Sequence, residues 1–172
     1  MPRVLPRHPP AAKPLPTFSM DSQPRFDVFE PGDLTALVCM DVPELQRLVA
    51  EQLTELGYRV HTGLSQDDLL LKMRTHVYDV LVISEHLGGK NVIANPVLHE
   101  AVHTPSAQRR KQLVVLVGSS FQTGDVFQAF QQSVDLVVNL SDSMNLRPLI
   151  RRGVNRSQEF YRPLLDALNA VA

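Results

Sequence analysis

YDVLVISEHLGG, residues 78 to 89, decides the fold. One acid, Asp79, precedes the apolar run Val80 to Ile83, which closes at Ser84 and runs through Glu85-His86-Leu87 into the pair Gly88-Gly89. A strand covered on both faces reads as such a continuous apolar run, and a glycine pair where it stops marks the turn onto a loop. In an open α/β sheet that carboxyl end is where ligands and chemistry sit, so Ser84 stands at the expected functional edge.

Working outward, the chain repeats the same unit. Thr35 to Met40 is a buried strand ending at Asp41, and Pro43 opens a helix with Leu45, Leu48, Val49, Leu53 and Leu56 on one stripe, stopped by Gly57. Tyr58 to Thr62 alternates as a strand, and Ser65 with Asp68 makes a capping box for a helix bearing Leu69, Leu70 and Met73. After the glycine pair a long loop runs to Ala94, Asn95 caps a third helix begun by Pro96 and ended at Thr104-Pro105, and residues 106 to 111 form a basic connector. Leu113 to Val117 is the fourth strand; Thr123 caps a fourth helix bearing Val126, Phe127, Ala129 and Phe130, with Asp125 complementing its dipole. Asp135 to Leu140 is the fifth strand. A last helix keeps Leu146, Leu149, Ile150 and Val154 inward, with Gly153 weakening it and Pro163 expected to kink or split it. Five strands alternating with five helices predict one doubly wound parallel sheet in an α/β domain, helices on both faces, over residues 34–172.

Residues 1–33 differ in kind. Residues 1 to 25 hold seven prolines and four Lys or Arg against the single acid Asp21, a composition that predicts a disordered basic tail or linker. Phe26, Val28 and Phe29, before the turn Glu30-Pro31-Gly32-Asp33, pin that tail to the domain or add an edge strand. The 172 residues carry a formal charge of −1, which gives no general pull towards nucleic acid or an anionic membrane. Cys39 is the only cysteine, so disulfide frameworks and four-cysteine zinc sites are excluded and a cytoplasmic setting fits. No apolar stretch is long enough to span a bilayer.

With the alternation in place, the segments VCMDVPELQRLV (38–49), YDVLVISEHLGG (78–89), LVVLVGSS (113–120) and DLVVNLSDSMNL (135–146) resemble the receiver (CheY-like) domain of bacterial response regulators over about Leu34 to Ser157. The resemblance implies a flavodoxin-like strand order 2-1-3-4-5 and an acidic, metal-binding phosphorylation pocket at the strand ends. The corresponding pocket positions here are Met40, Asp41, Ser84, Gly118 and Asn139. Two adjacent acids become Met40 and Asp41; the phosphoacceptor aspartate becomes Ser84, with Asp79 matching the acid five residues earlier. The switch hydroxyl becomes Gly118, with Ser119 and Ser120 displaced beside it, and the lysine becomes Asn139, or Leu140 one residue on. A neutral hydroxyl cannot serve as the carboxylate nucleophile, and neither Asn nor Leu can pair with a phosphoryl oxygen as an ammonium does. Glu85 offers no rescue, since adjacent strand residues point to opposite sides. The expectation is a non-catalytic pseudo-receiver without cofactor, acting in signalling through protein partners or a second copy of itself.

Other motifs compete. His99-Glu100-Ala101-Val102-His103 spells HExxH, the zincin pattern of two i, i+4 imidazoles and a glutamate base, but the extended pattern finds Ser106 and Arg109 where glycine and histidine belong. A zinc site on His99, His103 and the loop residue His86 is the metal-binding alternative, and a ligand-sensing module at the degenerate pocket is another. Arg147, Arg151, Arg152 and Arg156 place a basic stripe on the last helix, a docking surface for an acidic protein partner; without interleaved aromatics it does not read as a nucleic-acid interface.

Overall fold

The computed structural model describes residues 29–63 and 65–171, so residues 1–28 of the predicted tail, Phe26 and Val28 among them, lie outside it. The strands are β1 (Thr35–Cys39), β2 (Arg59–Thr62), β3 (Val80–Ser84), β4 (Leu113–Gly118) and β5 (Leu136–Asn139). They form one parallel sheet in the order β2-β1-β3-β4-β5. The helices are α1 (Pro43–Glu55), α2 (Gln66–Thr75), α3 (Pro96–Val102), the single turn α4 (Ser106–Arg109), α5 (Val126–Gln131) and α6 (Arg147–Val171).

Alternate side chains of the three central strands enter different cores, because successive Cβ atoms point to opposite faces. Leu37, Cys39, Leu81, Ile83, Val114 and Leu116 pack with Leu69, Leu98 and Ala129 under α2, α3 and α5. Ala36, Val38, Val80, Val82, Val115 and Val117 pack with Val49, Leu53, Leu146 and Ile150 under α1 and α6. Both sets are buried, which is why β3 carries no polar alternation. Among the described residues no helix is long and apolar enough to cross a membrane.

Two acids stitch the amino-terminal edge of the sheet. Asp79 Oδ2 accepts from the Thr35 N–H at 2.7 Å and from the Thr35 hydroxyl at 3.0 Å, giving the first residue of β1 a partner. Asp135 Oδ2 does the same for the Val114 N–H at 2.7 Å while pairing with Arg109 Nη1 at 2.7 Å. Ahead of β1, Phe29 stacks on His61 with ring centroids 4.3 Å apart and meets Tyr78 edge-on.

Three local expectations are corrected, and the side chains of α5 add a finding. The basic connector is partly helical, as α4. Thr123 does not cap α5: Asp125 accepts from the Phe127 and Gln128 N–H groups, while the Thr123 hydroxyl accepts from the Asn139 N–H and donates to Asp142. Of the apolar residues on α5 only Ala129 turns inward; Val126, Phe127 and Phe130 are exposed. Pro163 does not split the last helix, which runs unbroken for 25 residues; the ring is exposed there, where the carbonyl left without a donor can hydrate.

Candidate functional site

The carboxyl edge of the sheet gathers the five positions singled out above, and each is placed by its strand. Met40 follows β1 and is buried among the α1 and α6 side chains, where its thioether packs. Asp41 is exposed, and its Oδ2 accepts the Gly88 N–H at 2.9 Å. Gly88 and Gly89 both hold positive φ, +67° and +70°, which lets the chain reverse sharply enough to offer that N–H to Asp41. Ser84 ends β3, half-buried, and its carbonyl accepts from Asn95 Nδ2 at 3.0 Å. Asn95 is fully buried and its Oδ1 also caps α3 through the Val97 and Leu98 N–H groups, so one side chain ties the exit of β3 to the helix that follows.

Asn139 is committed to loop structure. Its Nδ2 donates to the Phe121 carbonyl at 2.7 Å, its Oδ1 accepts from the Ser141 N–H and hydroxyl, and its own N–H reaches Thr123 Oγ1 at 2.8 Å. Asn139 thus clamps the loop after β4 to the turn after β5. Asn139 supplies no cation, and Asp41 is the only carboxylate left at the two acidic positions closing β1. Magnesium is ordinarily bound through one or two carboxylates together with water and phosphate oxygens, and of the five positions only Asp41 offers a carboxylate.

The residue that sequence reasoning set aside occupies the centre of this edge. Glu85, 5% exposed, lies one position beyond β3 and folds across the end of β4. Its carboxylate accepts the Ser120 hydroxyl and, at 3.3 Å, the Ser120 N–H, with the exposed His86 imidazole 3.8 Å away. Its own N–H donates to the Val117 carbonyl at 2.8 Å. Gly118 makes this possible: a Cβ there would stand 2.0 Å from Glu85 Oε2 and 2.5 Å from Glu85 Cβ. A glycine ending an apolar strand is the signal that could have pointed to a close neighbour.

The remaining candidates lie elsewhere. His99 and His103 stack with centroids 4.0 Å apart, and His103 Nδ1 donates to the His99 carbonyl at 2.8 Å. They line a cavity of about 300 Å³ at the amino-terminal edge with His76, Tyr78 and Gln112, and Glu100 there is paired with Arg74 at 3.3 Å. His86 stands at the other end of the sheet beside Glu85, so the proposed His99, His103, His86 zinc set is not assembled. Among the described residues no group of three or more His, Cys, Asp or Glu is placed to hold a metal. Arg147 is paired with Glu55 of α1, whereas Arg151, Arg152 and Arg156 are exposed. Cys39 is buried in β1, and burial pushes its thiol well above the ordinary value.

No family model matches the chain, and no curated protein matches it. Solved structures do. NtrX of Brucella abortus is similar with a TM-score of 0.58 at 18% identity over 78% of this chain, which spans only 29% of that protein. A response regulator of Chloroflexus aurantiacus matches with a TM-score of 0.55 at 14% identity over 72% of this chain and 98% of its own length. The chemotaxis regulator CheY4 of Vibrio cholerae matches with a TM-score of 0.52 at 12% identity over 70% and 98%. Strand order, all-parallel register and these likenesses agree: the chain has the CheY-like receiver fold.

Proposed function

We propose that this chain is a receiver-like signalling domain that performs no phosphoryl chemistry and works through the contacts its surface makes with other proteins. The observation that carries the reading is the Glu85 carboxylate bound to Ser120 across Gly118. In a receiver the hydroxyl after the fourth strand answers to the phosphoryl group; here Ser120, one of the two hydroxyls that follow Gly118, is already held by an internal anion. Ser84 supplies no carboxylate nucleophile and Asn139 no ammonium. A carboxylate that is part of the fold gives this loop one setting.

Two surface features support a protein partner. Val126, Phe127 and Phe130 on α5 leave apolar side chains in solvent, a patch that marks interaction surfaces. Arg151, Arg152 and Arg156 on α6 add cations suited to a partner with acidic residues at its contact face.

The test is incubation of the purified chain with acetyl phosphate and magnesium, read by intact mass, and with beryllofluoride, read by amide chemical shifts. The expected result is an unchanged mass and unmoved resonances at Asp41, Ser84 and Ser120. A stable gain of about 80 Da would overturn the reading.

A further inference from the structure

The amino-terminal edge of the sheet, at the opposite end from the Glu85–Ser120 pair, holds a cavity of about 300 Å³ lined from α2, α3 and α4. Gln112 stands immediately before β4 on that lining and is 4% exposed. Its Nε2 donates to the Tyr78 carbonyl at 2.9 Å, which fixes the amide, since the reversed amide would set oxygen against oxygen. Oε1 is thereby held as a buried acceptor, and among the described residues it has no hydrogen-bond partner. A buried acceptor without a donor is destabilising, so a ligand that brings an N–H to this atom makes the bond that the fold leaves unmade. The walls beside it are rings. His99 and His103 stack with centroids 4.0 Å apart, and His76, Tyr78 and the Met73 thioether line the cavity with them.

We propose that this cavity binds a planar, uncharged heteroaromatic amine of nucleobase size, its amino group donating to Gln112 Oε1 and its ring lying against the imidazoles. Four observations select this class. Arg74 and Glu100, the charged side chains on the lining, are paired with each other at 3.3 Å, so neither an anion nor a cation meets an unmatched countercharge there. Ring walls favour a flat ligand, which stacks on them or meets them edge-on. Gln108, half-buried on the same lining, carries an amide that both donates and accepts, the complement of an amino group beside a ring nitrogen. A volume of about 300 Å³ lies at the small end of ligand cavities and suits a single base. Gln112 also borders a second cavity, of about 220 Å³ under α6, but that one offers Leu34, Leu113, Val154 and Leu165 in place of the stacked imidazoles. The proposal goes beyond the reading of the carboxyl edge and shares no residue with it.

Titration of the full chain with 9-methyladenine, followed by nitrogen–proton correlation spectra, tests the site. The backbone amides of His76, Thr104 and Gln112 and the side-chain amide of Gln112 should shift together and saturate with a Kd of about 1 mM or tighter, the strength expected of a ligand of about eleven heavy atoms. The dimethylamino analogue, which keeps the ring but has no N–H, should bind at least tenfold more weakly, because it leaves the Gln112 acceptor unpaired. Gln112→Leu, which removes that acceptor, should weaken 9-methyladenine by a similar factor. His99→Ala takes away an exposed side chain, so the fold persists, and should weaken binding about threefold or more through the lost ring wall. The two purines and His99→Ala keep the proposal open to refutation even where Gln112→Leu fails to fold. No saturable shift up to about 10 mM, equal affinity for the two purines, or undiminished binding by His99→Ala or by folded Gln112→Leu would each overturn it. None of these outcomes depends on the acetyl phosphate result.

Discussion

Gly118→Ala tests the lock at the carboxyl edge. An ideal Cβ on Gly118 lies 2.0 Å from Glu85 Oε2, 2.5 Å from Glu85 Cβ and 2.7 Å from Glu85 Cδ. Rotating the carboxylate removes the first of these contacts but cannot remove the second, since the Glu85 Cβ is fixed by the backbone. Two responses are open to the protein. Crowding that is retained costs about 1–3 kcal/mol. Expelling Glu85 forfeits its charge-assisted hydrogen bonds to Ser120, about 1.5–3 kcal/mol. Alanine returns about 0.5–1 kcal/mol over glycine in a strand, which leaves a net loss of about 1–1.5 kcal/mol. For a chain of this size that is about 2–6 °C in Tm. Urea unfolding followed by circular dichroism, with an unchanged slope, measures it. The decisive comparison is a cycle with Glu85→Gly, which removes the side chain that the new methyl meets. The double variant should be at least about 1 kcal/mol more stable than the sum of the single losses predicts. Additivity to within about 0.5 kcal/mol would refute the reasoning, because it would mean that the methyl is accommodated without touching Glu85.

Asn95→Ala should cost about 2–4 kcal/mol in the same unfolding assay, since it removes the cap of α3 and leaves the Ser84 carbonyl without its donor; a loss under about 0.5 kcal/mol would refute the double role. Phe127→Ala with Phe130→Ala should leave stability within about 0.5 kcal/mol, because both rings are exposed, and should abolish capture of a partner that the wild type retains on a column. Cys39 is wholly buried and its thiol is held protonated above its ordinary value of 9.0, so the folded state keeps a proton that the unfolded chain releases. Stability is therefore intact below pH 9 and falls above it, by about 1.4 kcal/mol at pH 10 relative to Cys39→Ala; parallel pH profiles for the two proteins would contradict this.

The architecture was legible because its signals are local. A strand buried on both faces must be apolar at every position, and Val80 to Ile83 and Leu113 to Val117 meet that demand without ambiguity. Ser65 accepts the Asp68 N–H and Asn95 caps α3 because capping depends on residues two and three positions away. What escaped depends on residues far apart in the chain. Gln52 sits within the α1 pattern as an unremarkable polar residue, yet it is buried, donating to the Ser143 carbonyl at 2.9 Å and accepting from the Leu146 N–H at 2.6 Å. Its partners lie more than ninety positions away, where no periodicity reaches. The exposure of Phe127 and Phe130 was likewise not legible. Hydrophobicity leads to burial only where a neighbour covers it, and α5 is a helix of six residues with one buried position, Ala129. At Thr123 and Asp125 two capping residues competed two positions apart, and the carboxylate took the helix while the hydroxyl bridged Asn139 and Asp142.

The two ends of the sheet also bear on what the surviving acids mean. Asp79 occupies the position that the receiver resemblance matches to an acid five residues before the phosphoacceptor, which could be read as a trace of phosphoryl chemistry. Its contacts assign it another task. Both of its interactions with Thr35 complete the hydrogen bonding of the first residue of β1, and Asp135 does the equivalent for β4. A parallel sheet leaves the N–H groups at its amino-terminal edge in need of acceptors, and a carboxylate one or two residues before a neighbouring strand meets that need. Asp79 is thus required by the fold whether or not Ser84 can accept a phosphoryl group. Asp41, by contrast, accepts the Gly88 N–H, and Glu85 accepts from Ser120. The acids at the amino-terminal edge hold strands together, and those at the carboxyl edge hold loops.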